Sequence, residues 1–283
     1  MTTAPAPERV SEVSRRLRAR ADGVVAQLWF MPESQHGYPE LGISGAAGTF
    51  GGRTGPLGPL PGAAAAALLV PLNAAFTAAA VDEAWAATTP DELLERRERT
   101  AVGYLAEIVG AQPEGIARAA ELARRAADAG PVEGHPLAAA HRTRGWSGDP
   151  LVDVWRASER IRERRHESHR NAWTAAALDA CEICVLTDLW RGPLISSVSS
   201  SWAPPQQDEA RQRLRARGLV DGDEISEHGR ALRDEIEHAT DRQETDVVAA
   251  LGDDADELLA LLTPWSTAAV AWAGQQFGAP RPE

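Results

Sequence analysis

The sequence contains no lysine, and all 29 of its basic residues are arginine. A P-loop needs a lysine to hold the phosphates of a nucleotide, and pyridoxal phosphate is bound as a Schiff base with a lysine amine. The absence of lysine therefore excludes both of these function classes.

Cysteine is nearly absent, with only Cys181 and Cys184 in the chain. Two cysteines are too few for a disulfide framework, and their i, i+3 spacing places them on one face of a predicted helix. They could form half of a redox or zinc site, but two buried thiols that pack as small apolar side chains are the more common case. We therefore predict no metal site and no cofactor.

Long apolar runs are also missing. The longest candidate, residues 63–80, is mostly alanine and is interrupted by Pro71 and Asn73. The first twenty residues contain no apolar segment of the kind found in secretory signals. We therefore expect a cytoplasmic protein without a membrane span.

The composition predicts a mainly α fold, because alanine, leucine and arginine dominate while β-branched and aromatic residues are sparse. The length of 283 residues is enough for two domains. A segment rich in glycine and proline, 130–150, is typical of a connection between them. We predict two helical domains, 1–147 and 148–283.

In the first half, the apolar spacing predicts helices at 7–28, 63–88, 91–109 and 113–129. Residues 30–62 are rich in glycine and proline and are predicted to form a structured loop. The glycine run 45–62 is a weak candidate for a phosphate loop, because no strand precedes it and its glycine spacing does not match. We expect Arg53 in this loop to bind an acidic side chain or an anionic ligand.

In the second half, Gly, Pro and Asp-Gly signals mark most element boundaries. We predict helices at 151–165, 169–189, 194–202, 205–217, 226–251 and 253–277, with a break at 166–168 and a hairpin whose turn is Asp221-Gly222. The second domain thus has several helices and one two-stranded hairpin.

The run Arg213–Leu232 resembles MarR-type winged helices, with R-L-x-x-R-G-L-V, a turn and then S-x-x-G-R-A-L. The whole chain is similar to an actinobacterial family of helix-turn-helix proteins, through Pro56–Pro59, Trp155–Glu163 and Ala239–Arg242. The resemblance implies two helical halves, the second a MarR-like winged helix with a two-stranded wing. The family has R-G-D-G-H where this chain has residues 165–169, so His169 matches and the glycines do not.

DNA binding is one function that the resemblance implies. The predicted recognition helix 205–217 offers side chains that read bases or hold phosphates; these are Gln206, Gln207, Arg211, Gln212, Arg213 and Arg215. However, Asp208 and Glu209 lie at its N-terminal end, and the wing 221–224 carries three acids. Between residues 221 and 257 the net charge is −11, which repels phosphate. We predict that this winged helix is degenerate and that its affinity for DNA is weak.

Small-molecule binding is the function we favour. Nine tryptophans stand against four phenylalanines and two tyrosines, and their flat surfaces suit an apolar cavity, although a tryptophan is more often simply part of a core. In MarR-like proteins the ligand cleft lies between the dimerisation helices and the winged helix. The resemblance places Trp155 and Trp173 there.

The predicted site is centred on His169, with His166 three residues before it. Beside a helix N-terminus His169 would stay neutral and could act as an acid or base together with Glu182. Arg162 and Arg165 could hold a carboxylate. A solvated or structural histidine pair is the alternative. We predict a small-molecule-binding protein, one form of which is a cofactor-independent enzyme acting on an organic acid, phenol or polyketide-like substrate. A MarR-like regulator that binds DNA and a small effector is the alternative function.

A homodimer is the expected assembly. The last helix carries more large apolar residues than one small core needs; these are Leu258, Leu262, Trp265, Val270 and Trp272.

Overall fold

A computed structural model describes residues 4–25, 37–192 and 201–278, and the described chain is mainly α-helical, as predicted. Its helices are α1 (Pro7–Val25), α2 (Gly45–Thr54), α3 (Gly62–Leu68), α4 (Ala74–Ala87), α5 (Pro90–Val109), α6 (Ile116–Ala127), α7 (Pro136–Arg142), α8 (Pro150–Ala175), α9 (Ala180–Arg191), α10 (Pro204–Ala216), α11 (Glu227–Arg242), α12 (Thr245–Leu251) and α13 (Ala255–Gly278). In the described part of the chain, no helix combines the length and the apolar character needed to cross a membrane.

The glycine-rich segment is a helix, so the prediction of a loop over residues 30–62 is wrong for α2. Ser44 caps α2 by accepting a hydrogen bond from the backbone N–H of Ala47. Glycine disfavours a helix by about 1 kcal/mol per residue relative to alanine, so tertiary contacts must stabilise this one. The predicted helix 63–88 is also divided, because Pro71 interrupts it and Asn73 caps α4.

The central helix α8 runs through residues 166–168 without interruption, so the predicted break there is wrong. Asp149 caps its start, and no glycine or proline lies in its interior after Pro150. The helix ends instead at Ala175, and Ala177, two residues later, has a φ of 54° in the left-handed region. Asp179 and Glu182 then form a capping box at the start of α9.

The hairpin consists of β1 (Val220–Asp221) and β2 (Glu224–Ile225), with Asp221 paired to Glu224. Its turn is therefore Gly222-Asp223, one residue later than predicted. Gly218 follows α10 with a φ of 68°, as expected for a helix end. The predicted helix 226–251 is divided into α11 and α12. The predicted end of the first helix at residue 28 and most of the predicted helix 194–202 lie outside the described residues.

The largest core draws on both halves of the chain, with buried residues from α1, α5, α6, α8, α12 and α13. A second core joins the end of α8 to α9, α10, the hairpin and α11. Leu258, Leu262 and Trp265 are buried in the first core, so the argument that they exceed what one core needs is wrong. Val270 is 51% exposed. The homodimer and the boundary near residue 147 stay predictions.

Candidate functional site

Helix α8 buries charged side chains along its length. It is packed against α1, α5, α6, α7 and α11, so its polar groups cannot all reach water. Buried charges are rare unless they are paired, because removing an ion from water carries a large free-energy penalty. The buried charged residues of α8 are Asp153, Glu159, Arg160, Glu163, Arg164, Arg165 and Glu167.

Arg53 from α2 makes a bidentate ion pair with Glu163, with two N–O distances of 2.7 Å. The Arg162 guanidinium also contacts this carboxylate at 2.6 Å. Burial alone would raise the pKa of Glu163, but Arg53 and Arg162 outweigh it and hold the pKa well below its usual value. Arg53, expected to bind an acid or an anionic ligand, thus binds an acid of α8.

Two histidines bond to backbone carbonyls in the same region. His141 donates from Nε2 to the Arg53 carbonyl at 3.1 Å, and His166 donates from Nε2 to the Leu68 carbonyl at 3.1 Å. Burial lowers the pKa of both imidazoles, that of His166 to about 3. Both rings are therefore neutral at physiological pH and help to fix α2 and the end of α3 against the central region.

Next to this pair, the Arg97 guanidinium contacts the Glu159 carboxylate at 2.5 Å, with 2% of each side chain exposed. The Arg97 Cζ lies 5.4 Å from the centre of the Trp155 ring. Three buried atoms here have no hydrogen-bond partner among the described residues: Arg97 Nε, Glu159 Oε1 and Trp155 Nε1. We call the buried side chains of Arg53, Arg97, Trp155, Glu159 and Glu163 the junction cluster.

The glycines of α2 allow other side chains to approach its backbone closely. A Cβ at Gly48 would lie 2.3 Å from the ring of Tyr38, and a Cβ at Gly52 would lie 2.3 Å from Cδ of Arg97. Tyr38 is buried beside Arg97, and burial raises its pKa while Arg97 opposes the shift. The glycine run thus allows close packing of α2 against Tyr38 and the junction cluster.

A cleft of about 610 Å³ opens beside the junction cluster, and we call it the junction cleft. Its wall includes Arg144 and Arg156, which share the carboxylate of Glu98. Arg156 contacts Glu98 twice at 2.7 Å, and Arg144 contacts it at 3.2 Å. Burial lowers the pKa of Arg144, and repulsion from Arg156 and Arg97 lowers it further while Glu98 opposes this. One carboxylate therefore faces two guanidiniums.

The rest of the junction cleft is partly apolar and partly acidic. Pro56, Pro90 and Leu94 supply apolar surface, while Asp91 and Glu95 are exposed at the rim. A second groove of about 300 Å³ lies between Gly37 and Glu107 and is more open to solvent. The junction cleft is therefore the better candidate for a bound molecule.

The arginines of α10 are paired with acidic side chains of the protein itself. Arg213 contacts Asp179 at 2.7 Å and Glu182 at 3.1 Å. Arg215 contacts Asp223 of the hairpin at 3.0 Å. These cations would have to leave their carboxylates before they could hold phosphates.

The N-terminal end of α10 contacts the first half of the chain. Trp202 donates from Nε1 to the Pro71 carbonyl at 3.0 Å, and the Asn73 side chain donates to Gln206 at 3.4 Å. The Asn73 backbone N–H donates to the Ser201 hydroxyl at 3.2 Å. Base contacts of a recognition helix concentrate at this end, so a DNA duplex would meet the segment around Pro71.

The arrangement of α9, α10 and the hairpin agrees with a sequence comparison. A family model described as a Helix-turn-helix family matches residues 14–275. The chain belongs to this helix-turn-helix family. The matched residues lie in both halves of the chain, and they include the glycine-rich helix α2 and helix α8 as well as α9, α10 and the hairpin. No curated protein and no solved structure matches the chain.

In this helix-turn-helix chain, His169 lies inside α8, and its predicted position at a helix start is wrong. Its Nδ1 lies 3.2 Å from the Thr240 hydroxyl and 3.9 Å from the Glu237 carboxylate. Burial lowers the pKa of His169 to about 3, and the nearby Arg233 contributes. The imidazole is neutral, as expected, but burial and a neighbouring cation are the cause rather than the helix dipole.

The remaining predicted residues occupy three places. Arg53 and Trp155 belong to the junction cluster, and Arg162 and His166 lie beside it. Arg165 contacts Asp241 at 2.8 Å under α11, the helix that His169 also contacts. Glu182 belongs to the capping box of α9 and accepts from Arg213, and Trp173 is buried in the second core. The structure thus does not bring His169 and Glu182 into one network.

Five residues around the junction cluster and the junction cleft were not among the predicted site residues. Arg97 and Glu98 pair with Glu159 and Arg156 of α8, and the other three are Tyr38, His141 and Arg144. A signal was present in the spacing of Trp155, Glu159 and Glu163, which puts one aromatic ring and two carboxylates on one face of a helix.

Both cysteines are buried, as expected. Burial raises the pKa of Cys181 to about 11 and that of Cys184 further. Across residues 4–25, 37–192 and 201–278, no three His, Cys, Asp or Glu side chains are grouped so that they could hold a metal ion.

Proposed function

We propose that this chain is a small-molecule-binding protein built on a MarR-like winged-helix scaffold, and that its ligand is an organic anion bound in the junction cleft. The observation that carries the proposal is the pair Arg144 and Arg156 around the single carboxylate of Glu98 in a cleft of about 610 Å³. Paired guanidiniums suit carboxylate recognition, and the volume suits a molecule of moderate size.

In this proposal the ligand carboxylate binds Arg144, whose contact with Glu98 is the longer one, and the bidentate pair between Arg156 and Glu98 stays intact. The apolar body of the ligand packs on Pro56, Pro90 and Leu94. The proposal contains no catalytic step, because His169 and Glu182 lie in separate networks.

Two features of the winged-helix part support a role other than DNA recognition. Arg213 and Arg215 are paired with carboxylates, and the start of α10 packs against the segment around Pro71. Phosphate contacts supply most of the affinity of nonspecific DNA binding, so a surface with paired arginines and an acidic wing lacks that attraction.

Ligand binding is tested with benzoate and salicylate as probes, by calorimetry and by the shift of the thermal midpoint. We expect Arg144→Gln to weaken binding by about tenfold or more, because it removes a charge-assisted hydrogen bond. Arg99→Gln is the matched control, since Arg99 is an exposed arginine of α5 outside the cleft. Equal binding of benzamide and benzoate, or an unchanged affinity of the Arg144 variant, would contradict the proposal.

The family match is compatible with one alternative, a MarR-like regulator that binds DNA and a small effector. Selection from a random duplex library, followed by fluorescence anisotropy at 0.15 M salt, tests it. We expect no sequence-specific binding in the nanomolar range. Nanomolar binding to a selected sequence would support the regulator, and benzoate would then be tested as the molecule that releases the duplex.

A further inference from the structure

The hydroxyl of Ser168 in α8 is buried against three polar groups. Its Oγ lies 2.5 Å from Glu244 Oε1, 3.0 Å from His135 Nε2 and 3.1 Å from the Arg164 carbonyl oxygen. Ser168, Glu244 and His135 are at most 4% exposed. The three residues come from α8, from the segment before α7 and from the turn between α11 and α12.

The protons available to these contacts can be counted. His135 Nδ1 lies 2.9 Å from the Glu133 carbonyl, which only accepts, so Nδ1 carries a proton. A neutral His135 therefore has a bare Nε2, which also accepts. The Arg164 carbonyl accepts, and an ionised Glu244 accepts. One hydroxyl proton would then face three acceptors. At least one of these hydrogen-bond distances would separate two acceptor atoms with no proton between them, which is unfavourable.

One additional proton resolves this conflict. If Glu244 is protonated, it donates to Ser168, and Ser168 donates to His135 or to the Arg164 carbonyl. If His135 is protonated instead, it donates to Ser168, and Ser168 donates to Glu244. Both arrangements contain the same number of protons. We propose that Glu244, Ser168 and His135 form a buried proton-binding site that holds one proton at neutral pH and releases it at alkaline pH.

The surroundings favour the proton on Glu244. Burial raises the pKa of Glu244, whereas burial together with Arg164 lowers that of His135. The Arg164 Nε lies 3.8 Å from Glu244 Oε2 and opposes the protonated form, but it is too distant for a hydrogen bond. The other charged groups that face the site from α7, α8 and α11 are Arg142, Arg165, Glu167, Arg170 and Asp241.

The site links pH to the packing of three segments. Since the folded-state pKa of Glu244 is raised, its contribution to stability is complete below the ordinary glutamate pKa of about 4.3 and is lost as the pH rises through the folded value. Within that window, the contribution of Glu244 makes the unfolding equilibrium constant rise about tenfold per pH unit. The proton therefore holds the turn between α11 and α12 against α8.

The first experiment compares urea unfolding of the wild type and Glu244→Gln between pH 5 and 9, because glutamine mimics a protonated carboxyl. As the pH rises, we expect the wild type to lose stability relative to the variant. The ratio of their unfolding constants should change about tenfold per pH unit and reach a plateau above the folded-state pKa of Glu244. Glu237→Gln is the control. The pKa of Glu237 is lowered to about 2. The difference in unfolding free energy between Glu237→Gln and the wild type should therefore stay constant from pH 5 to pH 9.

A second variant separates the three-residue site from simple burial of a carboxyl group. Ser168→Ala removes the group that accepts from protonated Glu244, so we expect the plateau at a lower pH. A plateau at a higher pH would show that the hydroxyl donates to the ionised carboxylate, which lowers the pKa of Glu244, and would overturn the proposal. An unchanged plateau would show that burial alone sets the titration and would overturn the proposal.

Infrared spectroscopy gives a readout that does not depend on stability. We expect a protonated carboxyl band in the wild type at pH 7 that is missing in Glu244→Gln. The absence of that band from the wild type, together with a neutral His135 imidazole by NMR at pH 7, would also overturn the proposal, whether or not the variants fold.

Discussion

Glu163→Gln is expected to destabilise the protein strongly, because Glu163 is completely buried and accepts hydrogen bonds from two guanidiniums. Glutamine keeps the size of the side chain and removes its charge, which leaves Arg53 and Arg162 without their shared anion. Breaking a buried pair by removing one partner costs about 3–5 kcal/mol. For a protein of this size, that corresponds to a fall of roughly 6–20 °C in the thermal midpoint.

Urea and thermal unfolding monitored by circular dichroism measure this loss. Two control variants make the result specific. Glu257→Gln removes an exposed partner of Arg118 and should leave the midpoint unchanged. Arg53→Met should destabilise less than Glu163→Gln, because Glu163 keeps its contact with Arg162.

The contribution of Glu163 to the stability of the fold depends on pH in a defined direction. The pKa of Glu163 is lowered in the fold, so its contribution is present above the ordinary glutamate pKa of about 4.3 and is lost as the pH falls below it. The wild type and Glu163→Gln should therefore converge in acid. A loss below about 1 kcal/mol at pH 7 would refute the assignment of this pair as a main stabilising contact of α8.

Three further predictions concern single positions. Gly52→Ala should destabilise by about 1–3 kcal/mol in urea unfolding, because its Cβ would overlap Arg97, whereas Gly103→Ala, in an exposed and open position of α5, should stabilise by about 0.5–1 kcal/mol; equal effects would contradict the packing described for α2. The pKa of His169 is about 3 in the fold, so its contribution to stability should be lost as the pH falls from about 6.5, and His169→Gln should reduce the acid sensitivity of the midpoint. The buried Cys184 should react with Ellman's reagent only after unfolding, and rapid labelling of the native chain would show that α9 opens.

Elements whose boundaries depend on local turn and capping residues were predictable from the sequence. Gly218 marks the end of α10, the hairpin has a glycine in its turn, and Ser226 caps the start of α11. The wrong predictions concern elements that depend on contacts with distant parts of the chain. Helix α2 forms despite its glycines because Tyr38 and Arg97 pack against it, and α8 continues through residue 168 because its polar side chains find buried partners.

The same distinction applies to the candidate site. The segment from Trp155 to Glu163 was identified from the sequence as part of the family resemblance, with Trp155 and Arg162 as candidate ligand-binding residues. It contributes Trp155, Glu159 and Glu163 to the junction cluster. Its partners were not predictable, because Arg53 and Arg97 come from helices far away along the chain, and any of 29 arginines could have paired with these carboxylates. Local propensity contains no information about that choice, which depends on how the helices pack.

The long sequence separation of these ion pairs has a kinetic consequence. The partners of Glu159, Glu163 and Arg165 lie 62, 110 and 76 residues away along the chain. Each pair requires closure of a long loop before any attraction is gained, which slows folding relative to helical proteins with local contacts. Unfolding must separate buried ions before water can solvate them. When unfolding as well as folding is slow, the native chain resists proteolysis even where its equilibrium stability is modest.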